Sequence, residues 1–200
     1  MVKIDIYSDE NGVLINKFGI KDATQLKELE SLIVSSRVMF LREQTFANCD
    51  FAMLCKIHKE LFDPIYEWAG KIRTIDIAKS MLFCRAMFIR EQANEIFSKL
   101  EQENYFLNAD RNNFCEKAGQ LFCDINMLHP FREGNGRTLR EFMFHLGRNA
   151  GYKCDLNMVN RDIYLNASSK GHTDSADMIA IMKAIVHKIE PTRQNVEHSR

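Results

Sequence analysis

Hydrophobic residues recur every three to four positions along most of this chain, which is the periodicity of helices with one buried face. In the first predicted helix, Leu26, Leu29, Ile33 and Phe40 are expected to face inward. Asp50 is a candidate N-cap for the second helix. The pattern predicts helices over roughly 24–42, 51–62, 88–102, 110–128, 137–149, 161–168 and 175–189.

One stretch breaks this periodicity. Between about residues 71 and 84 the side chains alternate with a period of two, which predicts a short strand or hairpin. Residues 1–20 are expected to be irregular, with a turn at Asn11-Gly12, and Gly151 and Gly171 are expected to end helices. The fold class predicted is therefore all-α with one short β-hairpin.

Composition supports a helical globular domain. The chain has 200 residues, 46% hydrophobic and 27% charged, with only three prolines and nine glycines. We expect one domain, with a lead and helix over residues 1–49, a core over 50–190 and a polar tail over 191–200.

Net charge, hydropathy and cysteine usage limit the binding partners and the cellular location that we expect. The formal net charge is zero, so there is no electrostatic case for binding nucleic acid or a membrane surface. No apolar run approaches the length of a membrane span, and the first residues do not resemble a signal peptide. The six cysteines include no Cys-x-x-Cys pair. Together these features favour a reducing, cytoplasmic setting. We expect the host to be a bacterium and leave delivery into another cell open.

The candidate chemistry is concentrated between the fourth and fifth predicted helices. The ordinary pKa of a histidine side chain suits His129 to act as a general base near neutral pH, and Glu133 is a candidate Mg²⁺ ligand. Gly134, Asn135 and Gly136 can turn backbone N–H groups toward an anion, immediately before a helix N-terminus that also favours phosphate.

Two arginines extend this site. Arg137 and Arg140 lie one helical turn apart, and an arginine fork suits phosphate oxygens. Taken alone, a histidine at a helix end, a Gly-Asn-Gly turn and two arginines on one face are each common structural features. Their concentration within twelve residues instead predicts a polyphosphate site with a metal ligand and a base, and hence phosphoryl or nucleotidyl transfer.

The segment from His129 to Arg137 resembles the Fic family signature, His-Pro-Phe-x-(Asp/Glu)-Gly-Asn-(Gly/Lys)-Arg, at every position. The segments 66–70 and 73–77 resemble the family's approach to its β-hairpin flap, so that the resemblance covers roughly residues 50–190. It implies a Fic-like helical fold with that single hairpin, and the activity of a protein adenylyltransferase that moves AMP from ATP to a Tyr, Thr or Ser hydroxyl of a target protein.

The resemblance also implies a role for each residue. His129 would deprotonate the target hydroxyl, and Glu133 would bind Mg²⁺. The phosphates of ATP would be bound by Gly134, Asn135, Gly136, Arg137 and Arg140. The flap would hold the target by strand addition, through Arg73, Thr74, Ile75, Asp76, Ile77 and Lys79.

The regulation implied is less direct. Many similar proteins carry an inhibitory Ser/Thr-x-x-x-Glu-Gly/Asn helix whose glutamate pairs with the second motif arginine. Here only Thr24 and Glu28 have that spacing, and Leu29 follows where Gly or Asn is expected; in the C-terminal helix Glu190 lacks a matching Ser or Thr. The chain thus resembles members restrained by a separate small helical antitoxin, with Glu28 as the alternative source of restraint.

The sequence also bears on three other functions. Relatives of the same fold transfer phosphate or phosphocholine, and the Gly134–Gly136 pair favours AMP transfer over these. A catalytically silent nucleotide-binding interaction module is disfavoured by the intact His129, Glu133 and Arg137. A P-loop NTPase is disfavoured because Gly-x-x-x-x-Gly-Lys-Ser/Thr does not occur.

Overall fold

The computed structural model describes residues 5–78 and 83–190. Within these ranges the fold is built from seven α-helices, joined by single 3₁₀ turns at Ala86–Phe88, Asn104–Phe106 and Leu156–Met158. The α-helices are α1 (Ala23–Glu43), α2 (Phe51–Phe62), α3 (Ile89–Gln102), α4 (Arg111–Leu128), α5 (Asn135–Asn149), α6 (Arg161–Lys170) and α7 (Ala176–Ile185).

A two-stranded antiparallel pair completes the fold. Strand β1 (Tyr152–Lys153) lies beside β2 (His187–Lys188), with Tyr152 opposite Lys188. This pair fastens the chain after α7 to the loop after α5. No helix in the described part of the chain is both long and apolar enough to traverse a membrane.

The all-α class predicted from the sequence is confirmed, but the two paired strands are formed by other residues than those of the predicted hairpin. Residues 71–78 and 83–84 of the predicted hairpin form no regular strand, and its remaining residues, 79–82, lie outside the described ranges. The predicted last helix ends early at Ile185, since the following residues pair as β2 instead.

The core surrounds α4, which packs against α3, α5 and α7, while α2 lies between α1 and α5. The contact between α4 and α7 is close. A Cβ on Gly119 of α4 would lie 2.6 Å from Cγ1 of Ile179 on α7, so the two backbones approach only because this position is glycine. Since α4 ends at the signature segment, this packing positions the candidate site.

Helix α1 buries only part of the predicted face. Leu26 is buried as predicted and Ile33 is half-buried against the core, whereas Phe40 is exposed. The other buried residues of the helix are Glu30, Val34 and Leu41. The prediction considered only apolar side chains and so passed over Glu30. That carboxylate is buried because it has partners on the other helices.

The predicted helix ends follow from local capping. Asp50 is the N-cap of α2, with its carboxylate accepting a hydrogen bond from the Met53 amide at 2.7 Å, as predicted. Gly151 follows α5 with a φ of +84°, the left-handed conformation that favours glycine. Gly171 is the C-cap of α6 in a right-handed conformation, and glycine is favoured there because a Cβ would lie 2.7 Å from Sγ of Cys123.

Candidate active site

His129 stands at the end of α4 in a left-handed conformation, with a φ of +45° and a ψ of +59°. This geometry turns the chain out of the helix. The imidazole Nδ1 lies 3.1 Å from the carbonyl oxygen of Asn126. Because a carbonyl oxygen can only accept, Nδ1 is the donor in this hydrogen bond, and in the neutral imidazole Nε2 is then the basic nitrogen that a general base requires.

The face of the same imidazole is covered by an aromatic ring. Phe83 stacks on His129 with ring centroids 3.7 Å apart and an interplanar angle of 15°, and the histidine is only 8% exposed. Phe83 also lies 5.7 Å from the ring of His172. The stacking fixes the plane of the candidate base and excludes water from that face.

The loop after His129 is closed by the Asn135 side chain. Its Oδ1 accepts from the Phe131 amide at 2.9 Å, and its Nδ2 donates to the Phe131 carbonyl at 2.8 Å. Phe131 itself is buried. Both ends of the amide thus serve to close the loop, and phosphate binding by Asn135 stays a prediction that rests on its backbone N–H.

The backbone conformation and close packing of residue 134 explain why a glycine precedes α5. Gly134 has a φ of +83°, and a Cβ would lie 2.4 Å from Cζ of Phe62, which is fully buried. Helix α5 begins at Asn135, two residues earlier than predicted. Asn135 and Gly136 thus belong to its first turn, where backbone N–H groups lack partners within the helix and can bind an anion.

The buried side chain of His58, on α2, connects this loop to Gly70, in the segment that precedes the predicted flap. The Gly70 amide donates to Nδ1 of His58 at 2.8 Å, so the proton is on Nε2, which donates to the Glu133 carbonyl at 3.0 Å. His58 also stacks on Phe131 at 3.9 Å. Burial lowers the pKa of His58 to about 4, and the ring is therefore neutral near pH 7.

Arg73 lies at the base of the predicted flap rather than on a docking surface. Its side chain is 1% exposed, so the prediction that it contacts a target is corrected. The guanidinium donates to the carbonyls of His129 at 2.8 Å, Ile75 at 2.7 Å and Cys84 at 2.5 Å. It joins both ends of the flap segment to the residue that carries the candidate base.

The other predicted flap residues are more accessible. Thr74 is exposed, Ile75 and Ile77 are half-buried, and the carboxylate of Asp76 accepts from the Ala86 amide at 2.7 Å. Lys79 lies outside the described residues. Target docking by Thr74, Ile75, Asp76, Ile77 and Lys79 stays a prediction.

Glu133 lies at the edge of the pocket. Its Oε1 accepts from the Gly134 amide at 2.9 Å and lies 3.6 Å from the Arg137 guanidinium. The side chain is 37% exposed and lines the pocket that contains His129. A partly exposed carboxylate beside an anion-binding helix N-terminus suits a metal ion that bridges phosphates.

Arg137 has a second carboxylate partner that sequence reasoning missed. Its Nη1 lies 2.5 Å from Oε1 of Glu30 on α1, while Oε2 of Glu30 accepts a 2.5 Å hydrogen bond from the Tyr66 hydroxyl. Glu28, the residue considered for restraint, is exposed. The α1 carboxylate that touches a motif arginine is thus Glu30, and the arginine it touches is Arg137, not Arg140.

Arg140 has different surroundings. Its guanidinium lies 5.1 Å from the ring centre of Tyr164, and its buried Nε makes no hydrogen bond. Within residues 5–78 and 83–190, no carboxylate forms an ion pair with it. Burial raises the pKa of Tyr164, and Arg140 and Ser168 oppose that rise.

These residues line a cavity of about 260 Å³. One wall is the signature segment, with His129, Glu133, Asn135 and Gly136. The opposite wall was not predicted: it is formed by α6 and the turn after it. The residues that sequence reasoning missed are Phe83, Asn126, Tyr164, Leu165, Ser168, Ser169 and His172.

No local pattern pointed to α6. Its contact with the site arises from packing, in which Nδ2 of Asn126 on α4 donates to the Ser168 carbonyl at 3.0 Å. A larger groove, of about 600 Å³, lies between α3 and α4, but none of its lining residues belongs to the signature segment. The smaller cavity is therefore the candidate active site.

Comparisons with known proteins agree with this geometry. The family model described as the Fic/DOC family matches residues 48–146. Protein adenylyltransferase VbhT of Bartonella schoenbuchensis is 40% identical over 181 residues, covering 89% of this chain and 38% of VbhT. Probable protein adenylyltransferase y4lH of Sinorhizobium fredii is 32% identical, covering 87% of this chain and 91% of that protein.

Solved structures show the same fold. The crystal structure of the BepC protein of Bartonella tribocorum with bound AMPPNP superposes with a TM-score of 0.87 at 27% identity, covering 92% of this chain and 97% of that one. The present chain spans well under half of the length of VbhT.

Proposed function

This chain belongs to the Fic/DOC family, and from that premise we propose that it is a protein adenylyltransferase, which transfers AMP from ATP to a hydroxyl of a target protein. The relatives named above are protein adenylyltransferases by name, and the BepC structure holds an ATP analogue.

The observation that carries the proposal is that His129 lines the same cavity as the anion-binding N-terminus of α5, on the same wall. With Nδ1 as the donor to Asn126, Nε2 is the ring nitrogen that would act as the base. The target oxygen attacks the α-phosphorus while His129 takes its proton. The bond to the bridging oxygen then breaks, and pyrophosphate leaves with the electron pair.

Glu133 fits a bound Mg²⁺ as its protein ligand. Mg²⁺ in nucleotide sites commonly takes one or two carboxylates together with phosphate oxygens and water. Among residues 5–78 and 83–190 no group of three or more His, Cys, Asp or Glu could hold a metal, so the nucleotide phosphates and water would have to supply the other ligands. When bound, the ion would neutralise negative charge on the phosphates.

The remaining parts of the site have matching roles. The backbone N–H groups of Asn135 and Gly136 and the guanidinium of Arg140 bind the phosphates, and Gly134 shapes the turn while its own amide donates to Glu133. Helix α6 bounds the nucleoside end of the cavity. The flap segment presents the target hydroxyl to His129, because Arg73 ties that segment to the His129 carbonyl. We propose a bacterial cytoplasmic setting and restraint by a separate small helical antitoxin, since Glu28 is exposed.

The decisive experiment is mass spectrometry of a cell lysate incubated with the protein, Mg²⁺ and isotope-labelled ATP. We expect a labelled AMP group on Tyr, Thr or Ser of a target. Transfer of the terminal phosphate alone would identify the phosphate-transferring alternative, and no label above background would indicate a silent module. The His129→Ala variant is the control: it should lose about 10²–10⁴-fold in rate while still binding nucleotide.

A further inference from the structure

Arg137 lies between two carboxylates at unequal distances. Its Nη1 is 2.5 Å from Glu30 of α1, and its Nη2 is 3.6 Å from Glu133, four residues earlier in the chain. The guanidinium is also 4.8 Å from the ring centre of Phe62. The shorter and better buried contact is the one with Glu30.

Glu30 is itself held in place. It is 7% exposed, and the Tyr66 hydroxyl donates to its second oxygen at 2.5 Å. The Tyr66 ring stacks on Trp68 with centroids 4.3 Å apart. Burial, and then Glu30, raise the pKa of Tyr66 well above its usual value, so this hydroxyl remains a donor throughout the physiological range. Glu30 therefore presents one fixed oxygen to Arg137.

We propose that Glu30 is a positioning residue that draws Arg137 away from Glu133, so that the Glu133 carboxylate can bind the metal ion of the nucleotide complex. The proposal rests on the function proposed above. An arginine and a glutamate four residues apart can pair directly, and a carboxylate paired with a guanidinium binds a cation less well. Without the charge of Glu30, Arg137 would compete with the metal for Glu133.

This role brings α1 into the active site. Glu30 lies outside residues 48–146, to which the family model matches, and no motif in the sequence connects it with the signature segment. Its contact with Arg137 depends on how α1 packs against α2 and α5.

The test measures Mn²⁺ binding in the presence of ADP by electron paramagnetic resonance, which needs no turnover. Glu30→Gln keeps the shape of the side chain and removes its charge. We expect its Mn²⁺ dissociation constant to rise about three- to tenfold, the scale of one partly buried ion pair. The matched control is Glu28→Gln on the exposed face of the same helix, which should bind Mn²⁺ as the unmodified chain does.

A double-mutant cycle separates this mechanism from a general loss of negative charge. In an Arg137→Gln background, Glu30→Gln should leave the Mn²⁺ dissociation constant unchanged, because the competing guanidinium is already absent. An equal loss in both backgrounds would overturn the proposal, as would unchanged binding in Glu30→Gln alone.

Two further variants complete the design. If Glu133→Gln leaves Mn²⁺ binding intact, the metal site of the proposed function is wrong. If Glu133→Gln abolishes binding and Glu30→Gln does not weaken it, only the present inference fails. Should Glu30→Gln not fold, Glu30→Asp retracts the carboxylate from Arg137 and should weaken Mn²⁺ binding less strongly; binding equal to that of the unmodified chain would overturn the proposal.

Discussion

The two motif arginines are the same residue type in different environments. Arg137 is paired with Glu30 at 2.5 Å, whereas Arg140 forms no ion pair among the residues that the structure describes and points its guanidinium at the Tyr164 ring. An arginine whose charge has no carboxylate partner has more to gain from a phosphate. We therefore assign the larger share of triphosphate binding to Arg140.

Arg140→Gln should weaken ATP binding about ten- to a hundredfold, since hydrogen bonds to charged groups contribute about 1.5–3 kcal/mol. Calorimetric titration with ATP measures this change. Arg161→Gln is the matched control, because Arg161 is exposed at the start of α6. This variant should bind ATP with the affinity of the unmodified chain. Equal affinities in both variants would contradict the assignment of Arg140.

At the scale of elements, the site depends on how closely α4 and α7 pack. A Cβ on Gly119 would lie 2.6 Å from Cγ1 of Ile179 and 3.0 Å from its Cα, and backbone atoms cannot move aside cheaply. Helix α4 carries His129 at its end, so a shift of this contact also moves the base. The α4–α7 contact therefore supports the position of the candidate base.

Gly119→Ala should lower the free energy of unfolding by about 1–3 kcal/mol, the usual cost of overpacking a core. Urea denaturation followed by circular dichroism gives the value. Gly136→Ala provides the comparison within a helix: the nearest atom to its added Cβ is the Tyr164 hydroxyl at 3.8 Å, so we expect little change in stability. A Gly119→Ala protein as stable as Gly136→Ala would show that α7 accommodates the methyl group.

At the scale of the whole molecule, two buried histidines link stability to pH. Burial, the main cause in each case, lowers the pKa of His58 and of His145 from 6.5 to about 4. The unfolded chain takes up protons at its ordinary histidine pKa, while the folded protein resists protonation until about pH 4. Between these values the unfolded state binds more protons, so stability must fall as the pH is lowered.

The free energy of unfolding should therefore be retained above about pH 6.5 and decrease down to about pH 4, with His58 contributing on the order of 3 kcal/mol. Denaturant titrations across this range measure the slope. His58→Gln should flatten it, whereas His187→Asn, which changes an exposed histidine, should not. An identical slope in His58→Gln would show that His58 is not the group responsible.

The features that local physics determines were predictable from the sequence. Helix α2 begins and ends where its apolar period and the Asp50 cap placed it, and the all-α class followed from scarce breakers. The candidate base, metal ligand and anion-binding turn lie within a few consecutive residues. A helical period, a cap and a nine-residue signature are all short-range properties.

Other features depended on contacts between distant parts of the chain. Glu30 reaches Arg137, His58 reaches Glu133, and α6 forms the far wall of the cavity only after the helices have packed. Arg73 changed from a predicted docking residue to a buried clasp for the same reason. The sequence by itself determined which residues are the candidates for the chemistry. Tertiary structure decided their partners, because burial and long-range pairing are set by the packing of helices and leave no periodic pattern in the sequence.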